Sequence, residues 1–213
     1  MYTGVWNSIV FFFLILSSGE SIEAANSEDI TDGVYGYVKN EETSPIVNAD
    51  ISLFDGVTLH VVKTDSDGGY KISNLPVSVN NYTVIFFTKE GYIPDAANLR
   101  IHEKKAIEYS VNMKRTNTRN AGFIIGTLYR PVRGGKLQFH SGIYSFGKKK
   151  QVRLEWDGEV IEKETDLEGH FLFEVPSGRY ELSREGSRER VKIEVSKGQT
   201  TIRNLRSGFI LID

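Results

Sequence analysis

The sequence predicts an all-β chain, two tandem small antiparallel β-sandwiches after an N-terminal signal peptide. Three observations predict it. Apolar and polar residues alternate with a period of two through much of the chain, no stretch of a dozen residues carries a capped 3.6-residue period, and Gly, Asn and Asp punctuate the apolar runs at short intervals. The 213 residues, 39% hydrophobic and 25% charged, have the composition of a folded globular chain and exclude the disordered and collagenous classes. The absence of cysteine excludes thiol catalysis, thiolate metal sites, disulfides and a lipidated cysteine anchor.

The leader, residues 1–24, is assigned on Ile9 to Leu16, an eight-residue apolar run. A bilayer-spanning helix needs about 20 residues, so the run fits the apolar region of a secretory signal, with cleavage expected after Ala24. No Lys or Arg precedes it, which departs from the usual pattern. The expected mature chain is extracytoplasmic (secreted, periplasmic or on the cell surface) and has no membrane span.

The first sandwich is placed at residues 25–115. Its strands include the segment around Gly36, the apolar run from Tyr82 to Phe87, and the alternation of Ile107, Tyr109, Val111 and Met113 with Glu108, Ser110, Asn112 and Lys114. The hydrophilic residues 116–120 form a linker. The second sandwich, residues 121–213, has alternating strands at Val152 to Trp156, Phe171 to Val175 and Val191 to Val195, and carries an inserted loop at 131–150. Domains of about 90 residues bury only some 60–65% of their unfolded surface, so docking the two together would stabilise both.

The two halves share a pattern. Thr64-Asp65-Ser66-Asp67-Gly68-Gly69-Tyr70 is answered by Thr165-Asp166-Leu167-Glu168-Gly169-His170-Phe171, Tyr82-Thr83-Val84 by Tyr180-Glu181-Leu182, and Gly36 by Gly126. In such a turn the Asp side chain bonds nearby backbone and Gly takes the left-handed conformation at no steric cost. On these residues, together with Pro45 to Ala49, Asn74-Leu75-Pro76 and Gly91-Tyr92, the first half resembles the carboxypeptidase regulatory-like domain. The second half resembles it more loosely, through Gly126, the TDLEGHF turn, Pro176 to Tyr180 and Gly198 to Thr201. The resemblance implies transthyretin-like β-sandwiches and says little about function.

No constellation points to catalysis, and no cofactor is expected. Asp65, Asp67 and Gly68 open like a calcium-binding loop, but the twelfth position, which should be an acid, is Pro76. Gly142 to Lys148 spells a phosphate-loop pattern, yet Lys149 stands where Ser or Thr should hold magnesium and a strand follows instead of a helix. His60, His102, His140 and His170 are scattered singly without metal-ligand spacing. Lys39 and Asn112 lie in outer strands, but both alternate toward solvent and no shuttle acid is evident nearby, so an amide crosslink between them is not expected.

The inserted loop is the candidate binding site. It interleaves Phe139, His140, Tyr144 and Phe146 with Lys148, Lys149 and Lys150, and aromatic faces beside mobile cations suit sugars, polyanions or a protein partner. Without the leader the chain holds 26 acidic and 26 basic residues, but 25–115 has 13 acids against 9 bases and 116–213 has 13 against 17. Opposite signs on the two halves favour contact between them, within one molecule or head to tail. The expected function is therefore a non-catalytic exported interaction or assembly module of the cell envelope or extracellular matrix. A protein partner or self-assembly is expected first, the alternative being carbohydrate or polyanion binding through loop 131–150. Nucleic acid is not expected of a neutral chain without a reading motif.

Overall fold

The computed structural model describes residues 33–73, 75, 82–100, 105–118, 120–134, 143–208 and 210–212. Residues 1–24, read from the sequence as a signal peptide, and the loop residues Phe139 and His140 lie outside them. Every named element is a strand. The first half holds β1 (Gly33–Asn40), β2 (Asp50–Phe54), β3 (Leu59–Lys63), β4 (Gly69–Ile72), β5 (Tyr82–Thr88), β6 (Asp95–Arg100), β7 (Ala106–Glu108) and β8 (Val111–Met113). β1 pairs antiparallel with β4 and parallel with β7 and β8. A second, antiparallel sheet runs β3-β2-β5-β6. Val34, Val38, Ile51, Leu53, Tyr70, Ile72, Ile85, Phe87 and Met113 fill the space between the sheets.

The second half holds β9 (Ala121–Gly134), β10 (Ile143–Phe146), β11 (Gln151–Trp156), β12 (Glu159–Glu164), β13 (His170–Pro176), β14 (Gly178–Arg184), β15 (Val191–Val195), β16 (Thr200–Ile202), β17 (Leu205–Arg206) and β18 (Ile210–Ile212). Its pairing follows that of the first half. β9 pairs antiparallel with β13 and parallel with β16, β17 and β18, and an antiparallel sheet runs β12-β11-β14-β15. The core is Ile124, Leu128, Val152, Leu154, Phe171, Phe173, Tyr180, Leu182 and Ile193.

The correspondence extends to single atoms. Thr64 Oγ1 donates to the Ile46 carbonyl at 2.6 Å and accepts from the Ala49 amide at 2.8 Å; Thr165 Oγ1 donates to the Gly147 carbonyl at 2.5 Å and accepts from the Lys150 amide at 3.0 Å. Asp65 Oδ1 accepts from the amides of Asp67 and Gly69, and Asp166 Oδ1 from those of Glu168 and His170. Gly68 and Gly169 both take the left-handed φ that this turn requires, 74° and 87°. The shared motif is a hairpin staple whose carboxylates are occupied by their own backbone.

One expected strand is interrupted. The alternation from Ile107 to Met113 splits into β7 and β8 around Tyr109 and Ser110. There the Ser110 hydroxyl takes the place of a ladder carbonyl, accepting from the Tyr37 amide at 3.0 Å, while the Tyr109 carbonyl accepts from the Tyr70 hydroxyl at 2.6 Å. The same break recurs between β16 and β17, where Asn204 Oδ1 accepts from the Thr127 amide at 3.0 Å. Side-chain oxygens are thus built into both ladders.

A third apolar cluster lies between the halves. The outward face of β2 and β5 supplies Phe54, Val84 and Phe86, and the second half supplies Ile125 and Ile143. Tyr129 packs edge-on against Phe54 at 5.1 Å, and Phe146 against Tyr82 at 5.6 Å. β10 sits at the seam, pairing with β9 and, at Ile143, with Tyr82 of β5, so one sheet continues from the first half into the second. Asn98 adds a hydrogen bond across the seam to the Glu168 carbonyl at 2.8 Å.

Candidate functional site

The described residues of the candidate loop separate into distinct settings. Tyr144 on β10 is half exposed, whereas Phe146 packs between Tyr82 and the His170 ring at the seam. Gly147 to Lys150 form the same staple turn as Ile46 to Ala49, and Lys149 has a φ of 52° where its counterpart Asn48 has 54°. Lys149 forms an ion pair with Glu164 at 3.0 Å. Lys148 and Lys150 flank it and line a cleft of about 730 Å³ with Arg130, Ser145, Phe146, Gln151, Arg184, Glu185 and Ser207. Three of the seven predicted residues therefore meet in one cleft, joined by Arg130 and Arg184.

Arg184 anchors that cleft. Its Nε donates to the Arg206 carbonyl at 3.2 Å and its Nη1 to the Glu185 carbonyl at 3.4 Å, which fixes the guanidinium on the main chain. It also lines a second groove of about 390 Å³ between the halves, whose walls are Phe54, Val57, Leu59, Tyr129, Val191 and Leu205 and whose rim includes Arg203 and Arg206. Elsewhere in the second half Arg153 is held by Glu162 at 3.0 Å, and Arg190 by Glu155 and Glu181. Among the described residues no group of three or more His, Asp or Glu is placed to hold a metal ion.

Two exposed sheet edges occupy equivalent positions and differ in chemistry. Among the described residues β3 pairs only with β2, and it exposes Leu59 and Val61, with Val57 75% exposed in the preceding hairpin turn. Among the described residues β12 pairs only with β11, and its six residues, all exposed, alternate less regularly: Glu159, Val160, Ile161, Glu162, Lys163, Glu164. Charge on an edge strand opposes uncontrolled pairing, and β3 has less of it. Sequence reasoning passed over β3 because Val61 and Val62 are adjacent and read as one apolar run. The structure turns Val62 to the core and Val61 to solvent.

His170 lies against the seam with 7% of its side chain exposed; its Nε2 stands 3.5 Å from a Glu168 carboxylate oxygen, and its Nδ1 has no hydrogen-bond partner among the described residues. Burial holds its pKa below the ordinary imidazole value, against the opposing pull of Asp166, Glu168 and Asp95. The folded protein therefore binds the proton more weakly than the unfolded chain, and stability is full above about pH 6.5 and declines as pH falls below it. Denaturant midpoints measured from pH 7.5 to 5 are expected to decline less in His170→Gln than in the parent. An unchanged slope would remove His170 as the cause.

Residues 33–114 match the family model described as the carboxypeptidase regulatory-like domain. No curated protein matches the chain. Among solved structures, the Bacillus anthracis TIE protein is similar at 13% identity with a TM-score of 0.35, over 84% of this chain and 34% of that one. The streptococcal ancillary pilin is similar at 11% identity and a TM-score of 0.35, over 85% and 64% respectively, and the major pilin subunit of Bacillus cereus at 9% and 0.33, over 82% and 98%. The chain spans about a third of the length of the first of these and under two thirds of the second. No helix among the described residues is long and apolar enough to cross a membrane. The segment from β1 to the end of β8, with the core its two sheets enclose, is the part of the chain that is similar to the carboxypeptidase regulatory-like domain.

Proposed function

We propose that this is a non-catalytic exported protein, built of two copies of one sandwich, that works as an assembly module of the cell envelope or extracellular matrix. The observation that carries the reading is the open edge of β3, whose outward Leu59 and Val61 are 42% and 55% exposed beside an unpaired ladder. An extended segment added there gains main-chain hydrogen bonds and apolar contact together. A second copy of the chain is the occupant. Its β12 edge offers Val160 and Ile161, both exposed, to the apolar pair of β3. The acidic first half and basic second half favour the same head-to-tail order. Such a contact is heterologous and extends into an open array.

Sedimentation of the mature chain is expected to show association that grows with concentration and weakens with salt, and Val61→Lys is expected to reduce it about tenfold through a charge on the edge. Val61 contributes to neither sandwich core, so the thermal midpoint should change little. A chain that stays monomeric at every concentration, or a variant that associates as the parent does, would remove the reading.

A further inference from the structure

The cleft at Lys148 and Lys150 and the groove between the halves share Arg184 in their linings and are together called the furrow. Its lining contains six cations, Arg130, Lys148, Lys150, Arg184, Arg203 and Arg206, against two acids, Glu185 and Glu189. The same half has carboxylates for Lys149, Arg153 and Arg190. In the furrow Arg184 is held by carbonyls, and no ion pair to Arg130, Lys148, Lys150, Arg203 or Arg206 is formed by the described residues. Like charges gathered in excess of their counter-charges repel one another, and a bound polyanion relieves that repulsion.

We propose that this furrow binds an acidic polysaccharide, with the cations on its sulfate or carboxylate groups and Ser145, Gln151 and the Tyr129 ring on its hydroxyls and ring faces. A polysaccharide suits it better than an acidic protein because the cations are strung along an open furrow, and among the described residues the cleft at Lys148 is lined by polar groups with Leu128 and Phe146 its only apolar side chains. Arg184 is the fixed point: a guanidinium tied to two carbonyls loses little side-chain freedom on meeting an anion. Its cations all lie in the second half, and the site does not depend on association through β3.

Dextran sulfate is the probe, titrated into the mature chain by calorimetry, with neutral dextran and polyglutamate alongside. Dextran sulfate is expected to bind, and to bind about tenfold more weakly when salt rises from roughly 50 to 300 mM, as condensed counterions compete. The quadruple variant K148Q/K150Q/R203Q/R206Q removes charge while keeping length, and is expected to weaken binding tenfold or more with its melting temperature near that of the parent. A control with the same loss of charge outside the furrow, K71Q/K114Q/K192Q/K197Q, should stay within about twofold of the parent. No binding of dextran sulfate, equal losses in the two variants, or tighter binding of polyglutamate than of dextran sulfate would each overturn the proposal. Val61→Lys, which tests association, should leave dextran sulfate binding intact, so the two readings fail separately.

Discussion

Gly126→Ala is expected to unfold much of the second half. Gly126 faces the main chain at Arg203, where the Arg203 amide bonds the Ile125 carbonyl at 2.8 Å, and a Cβ at 126 would overlap the Arg203 carbonyl oxygen and lie 2.6 Å from the Phe171 ring. Neither the parallel strands β16 and β17 nor the buried ring can retreat without opening the core. The cost is roughly 3 kcal/mol or more, from overpacking against backbone instead of a flexible side chain. Urea denaturation followed by the fluorescence of Trp156, at the end of β11 in the same half, measures it. Gly36→Ala should do equivalent damage in the first half, because its Cβ would meet the Tyr109 carbonyl in the same way. A loss under about 1 kcal/mol in either variant would show that the parallel strand is not held against its glycine.

Phe86→Ala carries the second large effect. Phe86 is fully buried, yet it faces the seam, while its neighbour Phe87 faces the first core. Truncating either ring should cost about 3–5 kcal/mol. The two should differ in cooperativity. Loss of Phe86 empties the cluster that joins Phe54 and Val84 to Ile125 and Ile143, so calorimetry is expected to split into two transitions. Phe87→Ala should lower the stability of the first half and leave the coupling in place. A single transition in Phe86→Ala would show that β10 alone, through the Ile143–Tyr82 pairing, couples the halves.

The parts of this structure that were legible in sequence are those made by local chemistry. The turns at Thr64 and Thr165 announce themselves because Asp65 and Asp166 bond amides two and four residues ahead, contacts that the spacing of the motif imposes. The lysines at 148–150 read as part of an insertion because their identity as a staple turn lies in bonds to Leu128 and Thr165, which are distant in sequence. The seam left a signal that period-two reasoning does not use: Val84-Ile85-Phe86-Phe87 and Phe123-Ile124-Ile125 are unbroken apolar runs, as expected of strands covered on both faces. The furrow left none, since Arg130, Lys148 and Arg206 are separated by up to 76 positions and meet only through the pairing of β10 and β17 with β9.

The parallel pairing at the ends of each half bears on how the molecule would carry load. The chain enters each sandwich along β1 or β9 and leaves along β8 or β18, lying beside the entry strand and running the same way. Tension on the two ends therefore pulls these neighbours past each other along their length. The bonds between them resist as a set, whereas a hairpin pulled open at its mouth gives way one rung at a time. In β9 that set extends from Phe123 to Gly134. Stretching a single molecule by its termini should meet high resistance before any extension, a property suited to a tether.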